Sequence, residues 1–163
     1  MKWLTLNDNQ WKWISWCACG LGQWYDSNFK SLWKIRHWWC HNSCKWNVDQ
    51  LYGFEFGPVL FKPTLSWGSQ TFRSNKEGAL SYFIGNNPKY PLDSGFGIKS
   101  WREVKSETSS TFVEENIAMW MGWVTLIDKK GDQLKVDKSW GYKKTKNGSL
   151  KIVLHHSSLP YEV

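Results

Sequence analysis

The chain has no run of about 18 uncharged apolar residues, the length a helix needs to cross a bilayer, so no membrane-spanning helix and no membrane partner are expected. Its first residues, "MKWLTLNDNQW", hold Lys2 but only a short apolar stretch, and do not read as a secretory leader. A cytoplasmic protein with reduced thiols is the resulting expectation. Phosphate loops are missing too: "GFG" at 95–97 has no following Lys-Ser/Thr, and "GFEFG" at 53–57 is not a dinucleotide fingerprint. No nucleophile elbow surrounds Ser157 or Ser158, and adjacent strand residues point to opposite faces, so they form no triad with His156. The formal charge is +7, yet no arginine cluster accompanies the eight lysines between Lys129 and Lys151. Such a stretch reads as a solvated strand face with a blunted sheet edge, and no nucleic-acid partner is expected. There is no internal repeat and no low-complexity linker, and 163 residues suit one domain spanning 1–163.

The four cysteines, Cys17, Cys19, Cys40 and Cys44, all stand in the first third. His37, Cys40, His41 and Cys44 follow a helical 3-4-7 spacing and could share one face. Neighbouring turns of one helix cannot easily surround an ion tetrahedrally, so buried free thiols are the reading, and no metal or cofactor is assigned. Fourteen tryptophans are several times normal usage. Trp13, Trp16, Cys17, Leu21 and Trp24 make one helical stripe within 9–24, and Phe29, Leu32, Trp33, Trp39 and Cys40 make another up to about Trp46. Both stripes suit core packing. A third helix is expected over 74–85, with Ser74 as N-cap, Glu77 at capping-box spacing and Gly85 at its end.

From Ile98 onward the apolar period falls to two. "VLFK" at 59–62 is a short strand, and "IKSWREVKSE", "STFVEEN", "IAMWMGWVTLID", "QLKVDKSWGYKKT" and "SLKIVLHHSSL" are candidate strands, with turns at "DKKGD" and "KNG". Helices about 9–47 and 74–85, followed by a sheet mainly at 98–158, give an α+β fold. The natural burial places the N-terminal helices in the concave face of a strongly curved, mostly antiparallel sheet.

That order, closing on "LHHSSLP", resembles the nuclear transport factor 2-like (cone-fold, SnoaL-like) superfamily. The tail resembles the association domain of calcium/calmodulin-dependent protein kinase II, whose last strand ends in His-x-Ser; His156 and Ser158 match that pair, with Asn147-Gly148 at the turn. "LYGFEFGPVLFKPT", "FRSNKEGALSYFIG" and "LHHSSLPY" are similar to small stand-alone bacterial and algal members. The resemblance implies a pocket between sheet and helices but not one activity, because the fold serves isomerases, dehydratases, transport factors and oligomerisation modules. Where the kinase domain has arginines, this chain offers Trp140 and Tyr142.

Strict alternation puts Ile152, Leu154, His156 and Ser158 on one face of the last strand, and the lysine-free face is expected to look inward. Trp140 and Tyr142 should face the same way, with Lys138 leaning toward solvent. The strand at 117–127 is apolar on both faces. Ala118, Trp120, Gly122 and Val124 are set as the wall, with Met119, Met121 and Trp123 against another subunit, although the reverse also fits. Both apolar faces need cover, so a homodimer or higher homo-oligomer is expected. The reading is a binder of a small apolar or aromatic molecule, its pocket lined by Trp140, Tyr142, Leu154, Ser158, Trp120 and Tyr82. Two alternatives stay open. One is an isomerase, dehydratase or hydrolase using His156 as general acid or base, oriented by Glu114, Glu115 or Asp137. The other is an oligomerisation module.

Overall fold

The computed structural model describes residue 45 and residues 48–99 and 101–161. The two tryptophan-rich helices expected over 9–47, and the four cysteines, lie outside the described residues, apart from Lys45. What is described is a mixed α+β arrangement built on one five-stranded sheet.

Strand β1 is Leu60–Lys62, helix α1 is Lys76–Ile84, and four long strands follow: β2 Trp101–Glu114, β3 Ile117–Asp128, β4 Gln133–Lys144 and β5 Leu150–Ser158. Their order across the sheet is β1-β5-β4-β3-β2. Short turns make β2 to β5 an antiparallel meander, as the hairpin signals require, while β1 joins the free edge of β5 in parallel. The segments expected as separate strands before and after residue 108 form one strand, β2, with a register shift between Thr108 and Ser110. A bulge there absorbs an extra residue without ending the ladder.

Helix α1 is capped one residue later than the capping-box pattern suggests. Asn75, rather than Ser74, sits in extended conformation, and its side chain accepts from the Gly78 N–H at 2.8 Å. Gly85 ends the helix at φ +73°, a conformation other residues rarely adopt. Behind the helix, Arg73 pairs with Asp93 at 2.9 Å, and the second Asp93 oxygen accepts from the Ser81 hydroxyl at 2.7 Å. Both charges are almost fully buried, so the pair fixes α1 against the loop that follows it.

The core lies between α1 and one face of the sheet. Tyr52, Val59, Phe61, Tyr82, Phe83, Val124, Leu126, Val136 and Trp140 are among its buried members. In β3, whose two apolar faces left both assignments open, Ala118, Trp120, Gly122 and Val124 are buried, whereas Ile117, Met119, Met121 and Trp123 alternate outward and are exposed. No helix among the described residues is long and apolar enough to cross a membrane.

Candidate functional site

Three adjacent strands set the site. Phe61 of β1 stands directly beside His155 of β5, and Trp140 of β4 stands opposite it on the other side. The imidazole is therefore held between two aromatic faces, with centroids at 4.6 Å from Phe61 and 3.9 Å from Trp140. Both rings are within 18° of parallel to it. Its two nitrogens are engaged as well. Tyr52 Oη lies 2.7 Å from Nδ1, and Lys138 Nζ lies 3.1 Å from Nε2. Burial, and then the nearby Lys138 and His156, push the His155 pKa well below its ordinary range, so the ring is neutral at physiological pH.

Lys138 is 5% exposed and makes no ion pair with any carboxylate among the described residues. Burial pushes its ammonium down to about 7, against a smaller opposing pull from Asp137. It also lies over the Trp140 ring, 5.3 Å from the centroid.

Beside this pair lies a group of hydroxyls. Lys138 is directly opposite Ser157 in the β4–β5 ladder, and Ser157 is completely buried. Thr64, just past the end of β1, donates to Ser157 Oγ at 2.6 Å. The next residue, Leu65, directs its N–H at the Tyr82 hydroxyl oxygen at 3.4 Å. Tyr82 comes from α1, stacks on Phe96 and meets Phe61 edge-on. Burial raises its pKa, so it stays a phenol. Lys62 ties the strand end down by donating to the Ser157 carbonyl at 2.8 Å. Among the described residues no group of three or more His, Cys, Asp or Glu is arranged to hold a metal ion.

The expected inward residues of β5 are displaced by one. His155 and Ser157 face the core, while His156 is exposed and pairs with Ser158 at 3.1 Å on the other side. The cause is a bulge. Tyr142 pairs with Ile152 but Gly141 pairs with Leu154, leaving Val153 as an extra residue that reverses the alternation beyond it. "HHSS" contains the His-x-Ser pattern twice, and the bulge turns the 155/157 copy inward. Leu154 is half-buried against Gly141.

Trp140, Tyr142, Trp120 and Tyr82 are buried. Trp120 pairs with Trp140 across the ladder, and Tyr142 stacks on Trp140. Glu114 and Glu115 are exposed at the β2–β3 turn, and Asp137 lies on the other face of β4 from Lys138. Lys138 was expected to lean toward solvent and instead turns in to His155. Four groups escaped the sequence reading of the site: Thr64, His155, Ser157 and the inward Lys138. One signal could have found the β5 pair. Gly141 interrupts an otherwise bulky strand, and a glycine within a strand marks bulges and close approaches.

Known proteins resolve the kinship. The profile of the metal-independent carbonic anhydrase family matches residues 39–159. A curated metal-independent carbonic anhydrase from Nostoc sp. is 48% identical over 115 residues, which is 71% of this chain and 56% of that protein. The chain therefore spans little more than half the length of that relative. A crystal structure of the iota-carbonic anhydrase from a cyanobacterium, complexed with bicarbonate, superposes with TM-score 0.83 at 36% identity. That match covers 96% of this chain and 90% of the other. The structure of a putative calcium/calmodulin-dependent protein kinase II association domain from Xanthomonas campestris matches with TM-score 0.53 and 21% identity, over 95% of this chain and 85% of that one, a likeness of fold. These matches overturn the expectation of a binder of apolar or aromatic molecules with no assigned reaction. The superfamily resemblance holds for the fold, and the relationship is narrower than it implied: the chain belongs to the metal-independent carbonic anhydrase family.

Proposed function

We propose that this chain interconverts carbon dioxide and bicarbonate, using its own side chains, at the inner-face cluster of Thr64, Tyr82, Lys138, His155 and Ser157. The observation that carries this reading is the buried hydroxyl group of Thr64, Ser157 and Tyr82, which lies inside the span matched by the family. Hydration builds negative charge on the oxygens of carbon dioxide as water attacks the carbon. Pre-oriented donors in a water-poor site stabilise that charge.

Donor accounting supports a choice of protons for this. Thr64 gives its proton to Ser157, so the Ser157 proton remains for the substrate. The Tyr82 hydroxyl meets the Leu65 N–H and the Thr64 side chain, and its phenol proton is the second donor we assign to the substrate. Two donors from β5 and α1, linked through Thr64-Leu65, would then hold two oxygens of the forming bicarbonate. Trp140 and Phe61 clamp His155, and with Trp120 they keep the surroundings apolar, where such hydrogen bonds are strongest.

Stopped-flow hydration of carbon dioxide with a pH indicator tests the reading. A rate well above the buffer background, lost in Ser157→Ala, supports it; a rate no faster than buffer rules it out.

We also propose that the chain is one domain and that it assembles as a homodimer. The support for the dimer is the outward stripe of Ile117, Met119, Met121 and Trp123 on a central strand.

A further inference from the structure

We propose that Lys138 is the proton acceptor of the site, and that His155 is the positioning residue that aims it. The proposal rests on the hydration reading above. Hydration must remove a proton from the attacking water, and the hydroxyls cannot take it: Thr64 and Ser157 are too weakly basic, and Tyr82 is held as a phenol. His155 looks like the obvious base, but its geometry excludes it. Nδ1 is held by Tyr52, Nε2 by Lys138, and both ring faces are covered, so no nitrogen is open to water.

Lys138 has what the imidazole lacks. Its side chain lies on the inner face opposite Ser157, and its cross-strand neighbour on the other side is Gly122, against which the Trp120 ring packs. An amine has three hydrogen-bonding directions besides its carbon. One goes to Nε2, leaving the nitrogen lone pair and one N–H for the site.

The proton inventory fixes the tautomer. An ammonium can only donate, so whenever Lys138 is charged Nε2 must be bare, and Nδ1 carries the hydrogen and donates to Tyr52. With the same tautomer, neutral Lys138 still donates one N–H to Nε2 and keeps its lone pair free. His155 therefore needs no rearrangement during turnover.

The balanced step is carbon dioxide plus water plus the neutral amine giving bicarbonate plus the ammonium. The water oxygen bonds to carbon, one water O–H bond breaks, and its proton goes to Nζ. The new positive charge then faces the product anion and offsets it. After bicarbonate leaves, the ammonium returns its proton to water or a buffer base. The charged and titratable groups around Lys138 among the described residues are His155 and His156 from β5, Asp137 from β4, Lys62 from β1 and Tyr82 from α1. No carboxylate among the described residues forms an ion pair with it, so the amine can empty near neutral pH, where burial has moved its titration.

The sign follows. Hydration needs the neutral amine and should rise as pH climbs through about 7; dehydration needs the ammonium and should rise as pH falls.

The test measures kcat/KM for hydration from acid to mildly alkaline pH in the wild type, Lys138→Gln and Lys138→Met. Gln keeps a donor for Nε2 but has no basic nitrogen. A wild-type limb rising through neutrality, absent from both variants with a loss of about 100-fold or more at alkaline pH, is the expected result. Nitrogen-15 NMR of the wild type supplies an arm that needs no variant. Lys138 Nζ should lose its proton over the same pH range as the kinetic limb, while His155 keeps its Nδ1–H signature throughout. A limb retained in either variant, or an Nζ that stays protonated across it, overturns the assignment of Lys138 and leaves the hydration reading standing. A wild type with no hydration defeats that reading itself.

Discussion

Ser157 and Thr64 have a distinct part from the aromatic residues around them, and single substitutions separate the two. Ser157→Ala removes a donor with little change in volume. It should slow carbon dioxide hydration by about 100-fold, the usual cost of losing one donor to a developing oxyanion, and lower the thermal midpoint by a few degrees, because the buried Thr64 hydroxyl loses its acceptor. Tyr82→Phe should have a similar effect on rate, because its proton and not its ring is what the substrate would meet. Lys138 and His155 also leave a mark on stability. Both have pKa values pushed below their ordinary ones, so the unfolded chain binds more protons than the native one between the two values. Their contribution is complete above the ordinary lysine value of 10.5 and falls as pH drops toward about 7 for Lys138. For His155 it falls further below pH 6.5. Urea melts of wild type and Lys138→Met at several pH values should show the wild type losing stability on acidification between pH 10 and 7 relative to the variant. Parallel curves would contradict the burial of a titrating amine.

Strand β5 with its bulge, and helix α1 with its anchor, decide where those side chains point. A Cβ at Gly141 would lie 2.8 Å from that of Leu154, so Gly141→Val should force the bulge apart and cost about 1–3 kcal/mol in urea melts. It should also reduce hydration, since His155 and Ser157 owe their inward direction to Val153. Arg73→Met would strand Asp93 as a buried unpaired charge, at a cost of about 3–5 kcal/mol in the same melts, and loosen the hold on Tyr82. Much of this architecture was legible in the chain. Period-two patterning, "DKKGD", "KNG" and Gly85 marked the strands, turns and helix end, because each is a local effect. The inward Trp140 and Tyr142 of β4 followed from alternation, whereas β3, apolar on both faces, left its inner side open. The faces of β5 beyond Val153 did not follow from alternation, because one extra residue inverts every later side chain and its sequence trace is a glycine on the neighbouring strand. The polarity of the site was hidden for a related reason. Thr64 and Ser157 are 93 residues apart and meet only once β1 docks in parallel on β5. A lysine within a strand reads as solvated until its cross-strand partner is known to be buried.

A sheet with α1 on one side leaves its other side to be covered or solvated. Ile117, Met119, Met121 and Trp123 run along the outer side of β3, each at least 37% exposed, in the middle of the meander rather than at an edge. Sedimentation equilibrium at micromolar concentration should give twice the chain mass, and Met121→Lys should shift the species toward the single chain; a monomeric wild type would contradict the dimer. The whole molecule thus keeps its two faces apart, with polar groups clustered beside the core on one and an apolar stripe on the other. Membrane-inlet mass spectrometry of oxygen-18 exchange between carbon dioxide and water addresses the chemistry most directly, because it follows the bond that hydration makes and breaks. The wild type should deplete labelled carbon dioxide far faster than buffer, and the Thr64→Val, Ser157→Ala double variant should fall to nearly the buffer rate while remaining folded. A double variant that depletes the label as fast as wild type would show that the hydroxyl cluster between β1, β5 and α1 is not where carbon dioxide reacts.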